Sequence, residues 1–225
     1  MKKLLFFLFV IPFSTICKAE YEQLNLYELA LYADKVVVGT IVYVDPIYFT
    51  IKVEESLTNH WGFLKIRRFI DWTCAMRWTP YQVGQKLLFF LEEEEGDYFP
   101  IGAGNEGEMP VKEGRVYIND QALNGLGFYP PPNFVYKSNF RISPFLFYEG
   151  KYHGIEYGLR ELFQIIQQIK KCYFIDFQSE WPYHRKFLCT EDEILAKSEG
   201  SDLRLSIFYD FKNRMGISSS KKVRN

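Results

Sequence analysis

A mainly β fold, flanked by a short N-terminal helix and a C-terminal amphipathic helix, is what this sequence predicts. Three observations carry the expectation. β-Branched or strictly alternating runs recur between residues 36 and 118, turn residues such as Asp45-Pro46 and Gly96-Asp97 separate them, and residues 155–172 have apolar side chains at helical spacing. Hydrophobic residues make up 48% of the 225-residue chain and aromatic residues 18%, enough to fill a substantial core.

The first element is not part of that fold. Met1, Lys2 and Lys3 precede an apolar run from Leu4 to Phe13, and Cys17 and Ala19 place small residues at a cleavage site, so residues 1–19 read as a secretory signal peptide and the mature chain is expected to start at Glu20. The run is too short for a bilayer span and is broken by Pro12. A lipid-modified Cys17 is the rival reading, to which the bulky Ile16 is a poor fit. Without the three lysines of the signal the chain carries 24 basic and 28 acidic residues. That balance offers no field to gather phosphate backbones, so nucleic acid is not an expected partner. No later stretch reaches spanning length, so the expectation is an exported protein, periplasmic or secreted, without a membrane span in the mature chain.

Residues 24–33 carry Leu26, Leu29 and Ala30 at helical spacing with Asn25 as a cap, which predicts a short helix. Val36 to Val44 is β-branched almost throughout, with Gly39 where a barrel strand bends. Phe49, Ile51 and Val53 alternate with Thr50, Lys52 and Glu54, a second strand with one buried face. Leu64 to Ile70 gives a third. Lys86 to Glu92, apolar on both faces, gives a central fourth. Glu92 to Asp97 reads as a solvated hairpin tip, Tyr98 to Ile101 as the sheet resuming, and Arg115 to Ile118 as a further strand. In the helix expected over 155–172, Leu159, Leu162, Phe163, Ile166 and Ile169 form the apolar stripe.

The stretch from Ala33 to Ile118 resembles bacterial exported proteins whose domain is similar to the tissue-inhibitor-of-metalloproteinase (TIMP) and netrin modules. The residues that carry the resemblance are Ala33 to Val42 as the opening strand, Val53-Glu-Glu-Ser-Leu57, Tyr81 to Leu91, and the glycine-bearing segment Gly104 to Val111. It implies a five-stranded, OB-like closed barrel, which the chain is expected to form over residues 20–128; the apolar stripe of the later helix leads to the expectation that the C-terminal extension, 129–225, packs on the barrel. It does not carry the inhibitors' mechanism, which needs an N-terminal cysteine where this chain is expected to have Glu20.

Chemistry-bearing motifs fail on context. Gly102-Ala-Gly-Asn-Glu-Gly107 matches a dinucleotide fingerprint but leads into Pro110 rather than a helix, so it reads as a bulged turn. His60, His153 and His184 are far apart and no Cys-x-x-Cys occurs, so neither a metal nor a cofactor is expected. Of the three cysteines beyond the signal, either Cys172 and Cys189 form a local bridge with Cys74 a buried thiol, or all three stay unpaired. The remaining signal is the aromatic loop from Trp72 to Tyr81. Trp72, Arg77, Trp78 and Tyr81 are residue types that dominate interfaces, and equally ones that plug a barrel end. The expectation is a non-enzymatic binding module whose partner is an envelope or extracellular protein or a glycan. The alternatives are a protease inhibitor acting by a mechanism unlike that of the TIMP proteins, or a hydrolase using His184 or His153 with a carboxylate.

Overall fold

The computed structural model describes residues 23–71, 77–102, 106–123, 126, 154–179 and 182–221. Residues 1–19, expected to be a signal peptide, Trp72, Cys74, His153 and the Pro-rich stretch 129–133 lie outside them. Helix α1 (Leu26–Tyr32) opens the fold under a capping box: Asn25 accepts from the Glu28 N–H while the Glu28 carboxylate accepts from the Asn25 N–H. It leads into β1 (Lys35–Val44), β2 (Tyr48–Ser56), β3 (Gly62–Arg67), β4 (Lys86–Glu94) and β5 (Asp97–Pro100).

These five strands close on themselves as an OB-like barrel. The strands run in the order β1-β2-β3-β5-β4, with β4 returning antiparallel to β1 from Lys35 opposite Leu91 to Thr40 opposite Lys86, and β3 meeting β5 in parallel at Ile66 and Tyr98. Gly39 sits at a register shift in β1, where an added Cβ would come 2.8 Å from the Lys52 carbonyl oxygen. Only glycine lets the two strands approach at that bend. The third strand stops at Arg67, short of the expected Ile70, which is exposed beyond the strand.

The edge of β4 that carries β5 also extends the same sheet beyond the barrel. It pairs through β6 (Glu108–Lys112) with β7 (Arg115–Asn119), and β7 with β8 (Gly154–Gly158). β6 is not among the expected strands, and its Pro110 has no N–H to give to a ladder. The strand accommodates it by changing partner there: residues 108–110 pair with β4, and 111–112 with β7. The helix expected over 155–172 is shorter at its start. Residues 154–158 form β8, whose Ile155 and Tyr157 are buried in alternation, and α2 (Leu159–Cys172) begins after Gly158. The extension continues as β9 (Tyr173–Asp176), β10 (His184–Phe187), α3 (Glu191–Ser198) and α4 (Asp202–Lys221). α3 starts under a capping box made by Thr190 and Glu193, a signature readable in the sequence.

Two cores result. One fills the barrel with Val37, Ile41, Phe49, Ile51, Leu64, Ile66, Leu87, Phe89 and Leu91. The other lies on the outer face of β1 and β4, where Val36, Val38, Leu88 and Phe90 meet α1, α2 and α4. This is why β1 and β4 are apolar on both faces: each stands between the barrel interior and the helical layer. The predicted stripe of α2 is buried in that layer, joined by Ile165 and Gln168. A disulfide between Cys172 and Cys189 ties the end of α2 to the segment after β10. Buried charge fastens α1 to the extension: Glu28 accepts from Arg185 Nη2 at 2.9 Å, Arg214 lies 3.6 Å from Glu28 and 2.9 Å from Asp210, and the Tyr27 hydroxyl donates to Asp210 at 2.7 Å.

On the barrel wall, the Glu54 carboxylate accepts from Lys86 Nζ at 2.6 Å and from the Thr40 hydroxyl at 2.5 Å. The Lys86 bond first, then that from Thr40, holds its pKa below the ordinary 4.5. A depressed carboxyl contributes stability that is present above the unfolded value and lost as pH falls through the folded one. Melting temperature followed below pH 4.5 should therefore fall less steeply in Glu54→Gln than in the wild type. Parallel acid limbs would remove Glu54 from the account.

Candidate functional site

Three of the four residues expected to form a binding cluster come together at one end of the barrel, in the segment that leads into β4. Arg77 has its side chain 3% exposed and Glu108, on β6, is fully buried. Arg77 Nε donates to Glu108 at 2.8 Å, Nη1 to the Thr79 carbonyl at 2.5 Å and Nη2 to Gln85 at 3.3 Å. Its guanidinium lies 3.9 Å from the Tyr81 ring centroid and 4.5 Å from that of Trp78. The Tyr81 hydroxyl donates to the second Glu108 oxygen at 2.5 Å and accepts from the Phe69 N–H at 3.1 Å. Burial first, then the Glu108 charge, pushes the Tyr81 hydroxyl far above its ordinary pKa, so it stays a donor.

Trp78 and Tyr81 are buried and belong to the barrel core, Tyr81 stacking on Phe49 at 4.6 Å between centroids. They plug this end of the barrel. Trp72 lies outside the described residues. Glu108 is the member that sequence reasoning missed. It stands 31 residues from Arg77, on a strand not among those expected, and a single Glu in a short segment carries no signal of burial.

Above this plug lies a cleft of about 840 Å³ lined by Pro46, residues 68–71 and residues 77–81. Its position is fixed by backbone bonds: the Arg68 N–H donates to Ile47 O, and the Gly84 N–H to Ile41 O, both at 2.8 Å. Asp45 caps the β1–β2 turn by accepting from the N–H groups of Tyr48 and Ile47, which hold its carboxyl below the usual range. Ile70, which lines the cleft, is 77% exposed, and on the segments these bonds join Tyr43, Ile47 and Val83 are exposed at 57%, 56% and 65%. The site is thus a floor tied together by the Arg77, Glu108 and Tyr81 hydrogen bonds, with the exposed Ile70 at its edge.

His60 and His184 do not join it, and His153 lies outside the described residues. His184 is exposed on β10 opposite Asp176, and the nearby Ser179 hydroxyl donates to the Asp176 carbonyl and accepts from the His184 backbone N–H, not from the imidazole. His60 donates through its backbone to Ser56 in the β2–β3 turn. Among the described residues no group of three His, Cys, Asp or Glu side chains is placed to hold a metal ion, and no helix is long and apolar enough to cross a membrane. No protein family, curated protein or solved structure matches the chain.

Proposed function

We propose that the chain is an exported, non-enzymatic binding module of the bacterial envelope or exterior, and that it presents the barrel end to a protein partner. The observation that carries this reading is a cleft lined by the exposed Ile70, whose floor is already fixed by the Arg77, Glu108 and Tyr81 bonds, with Tyr43, Ile47 and Val83 exposed on the segments joined by the backbone bonds beside it. A preformed site binds without a cost of ordering, and clustered exposed apolar side chains favour a protein surface over bulk water.

The test is affinity capture from envelope and culture supernatant with the purified protein as bait, comparing wild type with Ile70→Asp and Val83→Asp. The expected result is a stoichiometric protein partner captured by the wild type and lost by both variants at unchanged melting temperature, since neither side chain is packed in a core. Capture unaffected by the two substitutions, or no partner at all, would remove the barrel end as an interface.

A further inference from the structure

At the other end of β4 from the plug, the C-terminal extension builds a second cleft. It measures about 420 Å³ and lies between residues 174–178 of β9 and the turn after it, the end of α1 with Asp34, and Glu92 and Glu93 on β4. Two of its rings are exposed, Tyr32 and Phe174, and Phe177 braces Tyr32 edge-on at 5.1 Å between centroids. Asp34, Glu92, Glu93 and Asp176 line it as carboxylates. Two lysines stand at its margins. Lys170 Nζ donates to the Ala33 carbonyl at 2.7 Å within the field of Asp34, and Lys186 Nζ lies 4.9 Å from the Phe174 centroid. Negative charge remains in surplus. Burial raises the Glu92 carboxyl above its ordinary 4.5, the Tyr32 bond opposes this, and the charges of Glu94 and Asp34 raise it further.

The same cleft meets a strand edge. Among the described residues β9 pairs with β10 alone, from Tyr173 opposite Phe187 to Asp176 opposite His184. The Leu188 N–H donates to the Cys172 carbonyl at 2.7 Å, which marks these two as a hydrogen-bonded pair. Such pairs alternate along an antiparallel ladder, so Phe174 bonds to β10 while Ile175 directs its N–H and C=O to the opposite edge. Ile175 is buried yet lines the cleft, and this peptide edge is how it does so. We propose that the cleft binds an extended basic peptide segment of a partner protein, whose backbone pairs with Ile175 and whose lysine or arginine side chains reach Asp34, Glu92 and Glu93. Strand addition recognises peptides generally: main-chain bonds give affinity, and the flanking surface chooses the side chains. Here the cationic heads meet the surplus carboxylates while their aliphatic stems cover the Tyr32 and Phe174 rings. A metal ion fits less well, because among the described residues no three acids are placed to hold one. This site is distinct from the barrel end, and neither reading depends on the other.

Fluorescence anisotropy of a short labelled peptide of alternating lysine and threonine would be measured with the wild type, Glu93→Lys and Ile70→Asp. A glutamate–threonine peptide is the charge control, spermine the competitor, and two N-methylated forms, one blocked at the lysines and one at the threonines, test the backbone. The wild type should bind the lysine peptide, more weakly as salt rises, and not the glutamate peptide. Glu93→Lys exchanges an attraction for a repulsion and should weaken binding roughly tenfold, while Ile70→Asp should bind as the wild type does. A strand pairs through one alternating set of N–H groups, so one N-methylated form should bind roughly fivefold more weakly than the parent. Glu93 is exposed and its bond to Asp34 is made by its backbone N–H, so an unaltered melting curve is expected for Glu93→Lys. No binding of the lysine peptide, equal binding of the glutamate peptide, or affinity unchanged by Glu93→Lys or by both N-methylations would each overturn the proposal. So would loss of binding in Ile70→Asp, which would move the peptide to the barrel end, or displacement by spermine at equal concentration, which would assign the cleft to a small organic cation.

Discussion

Arg77→Met should be among the most damaging single substitutions in the described part of the barrel. It leaves the fully buried Glu108 with the Tyr81 hydroxyl but without its cation, and it strips donors from the Thr79 carbonyl and Gln85. Breaking a buried ion pair by removing one partner costs about 3–5 kcal/mol, far more than the pair contributes over an apolar replacement, because the remaining charge is left desolvated. The informative comparison is therefore with the double variant Arg77→Met/Glu108→Met. It removes both charges at similar volume and should recover most of the lost stability in urea unfolding. A single variant within about 1 kcal/mol of wild type would mean that water reaches Glu108 and that the network is not the floor described above.

Trp78→Ala is the second large effect expected, and it separates the two roles that an aromatic cluster allows. Trp78 is 4% exposed, belongs to the barrel core and carries the Arg77 guanidinium against its ring. Truncating a buried aromatic to alanine removes its transfer free energy and leaves a cavity, at a cost of about 3–5 kcal/mol. For a chain of this size that lowers the melting temperature on the order of 10 °C. Calorimetry gives the answer directly. If Trp78→Ala melted with the wild type yet lost the captured partner, Trp78 would be a contact residue rather than a plug, and the exposed Ile70 and Val83 would no longer define the interface. The acid-limb comparison at Glu54 is a smaller, independent check on the barrel wall, and its outcome does not depend on either substitution.

A contact surface and a core are built from the same residue types, which is why the segment around Trp78 was legible as important while an interface role and a barrel-plug role both stayed open. Arg, Trp and Tyr carry large apolar area with polar tips, so their composition fits a partner's pocket and a barrel end equally well. What decides between them is a carboxylate supplied from 31 residues away by a strand with a proline in it. No local pattern encodes that meeting. Phe63 shows the converse. In an alternating strand its position marks it as outward, yet its place opposite Lys52 exists only through the β2–β3 register.

By itself the sequence determined the local elements with strong periodicity: α1 with its Asn25 cap, the runs of β1, β2 and β4, the bend at Gly39 and the buried stripe of α2. Each of these follows from side-chain alternation or steric freedom within a few residues, so no long-range information was needed. Tertiary structure alone decided the rest. It set the closure of β1 against β4, converted residues 155–158 from the expected helix into part of β8 by pairing them with β7, and assembled the Arg77, Glu108 and Tyr81 floor. In each case the deciding free energy comes from partners distant in the chain, whose hydrogen bonds and burial outweigh a local preference of a few tenths of a kcal/mol per residue, about what intrinsic propensity supplies.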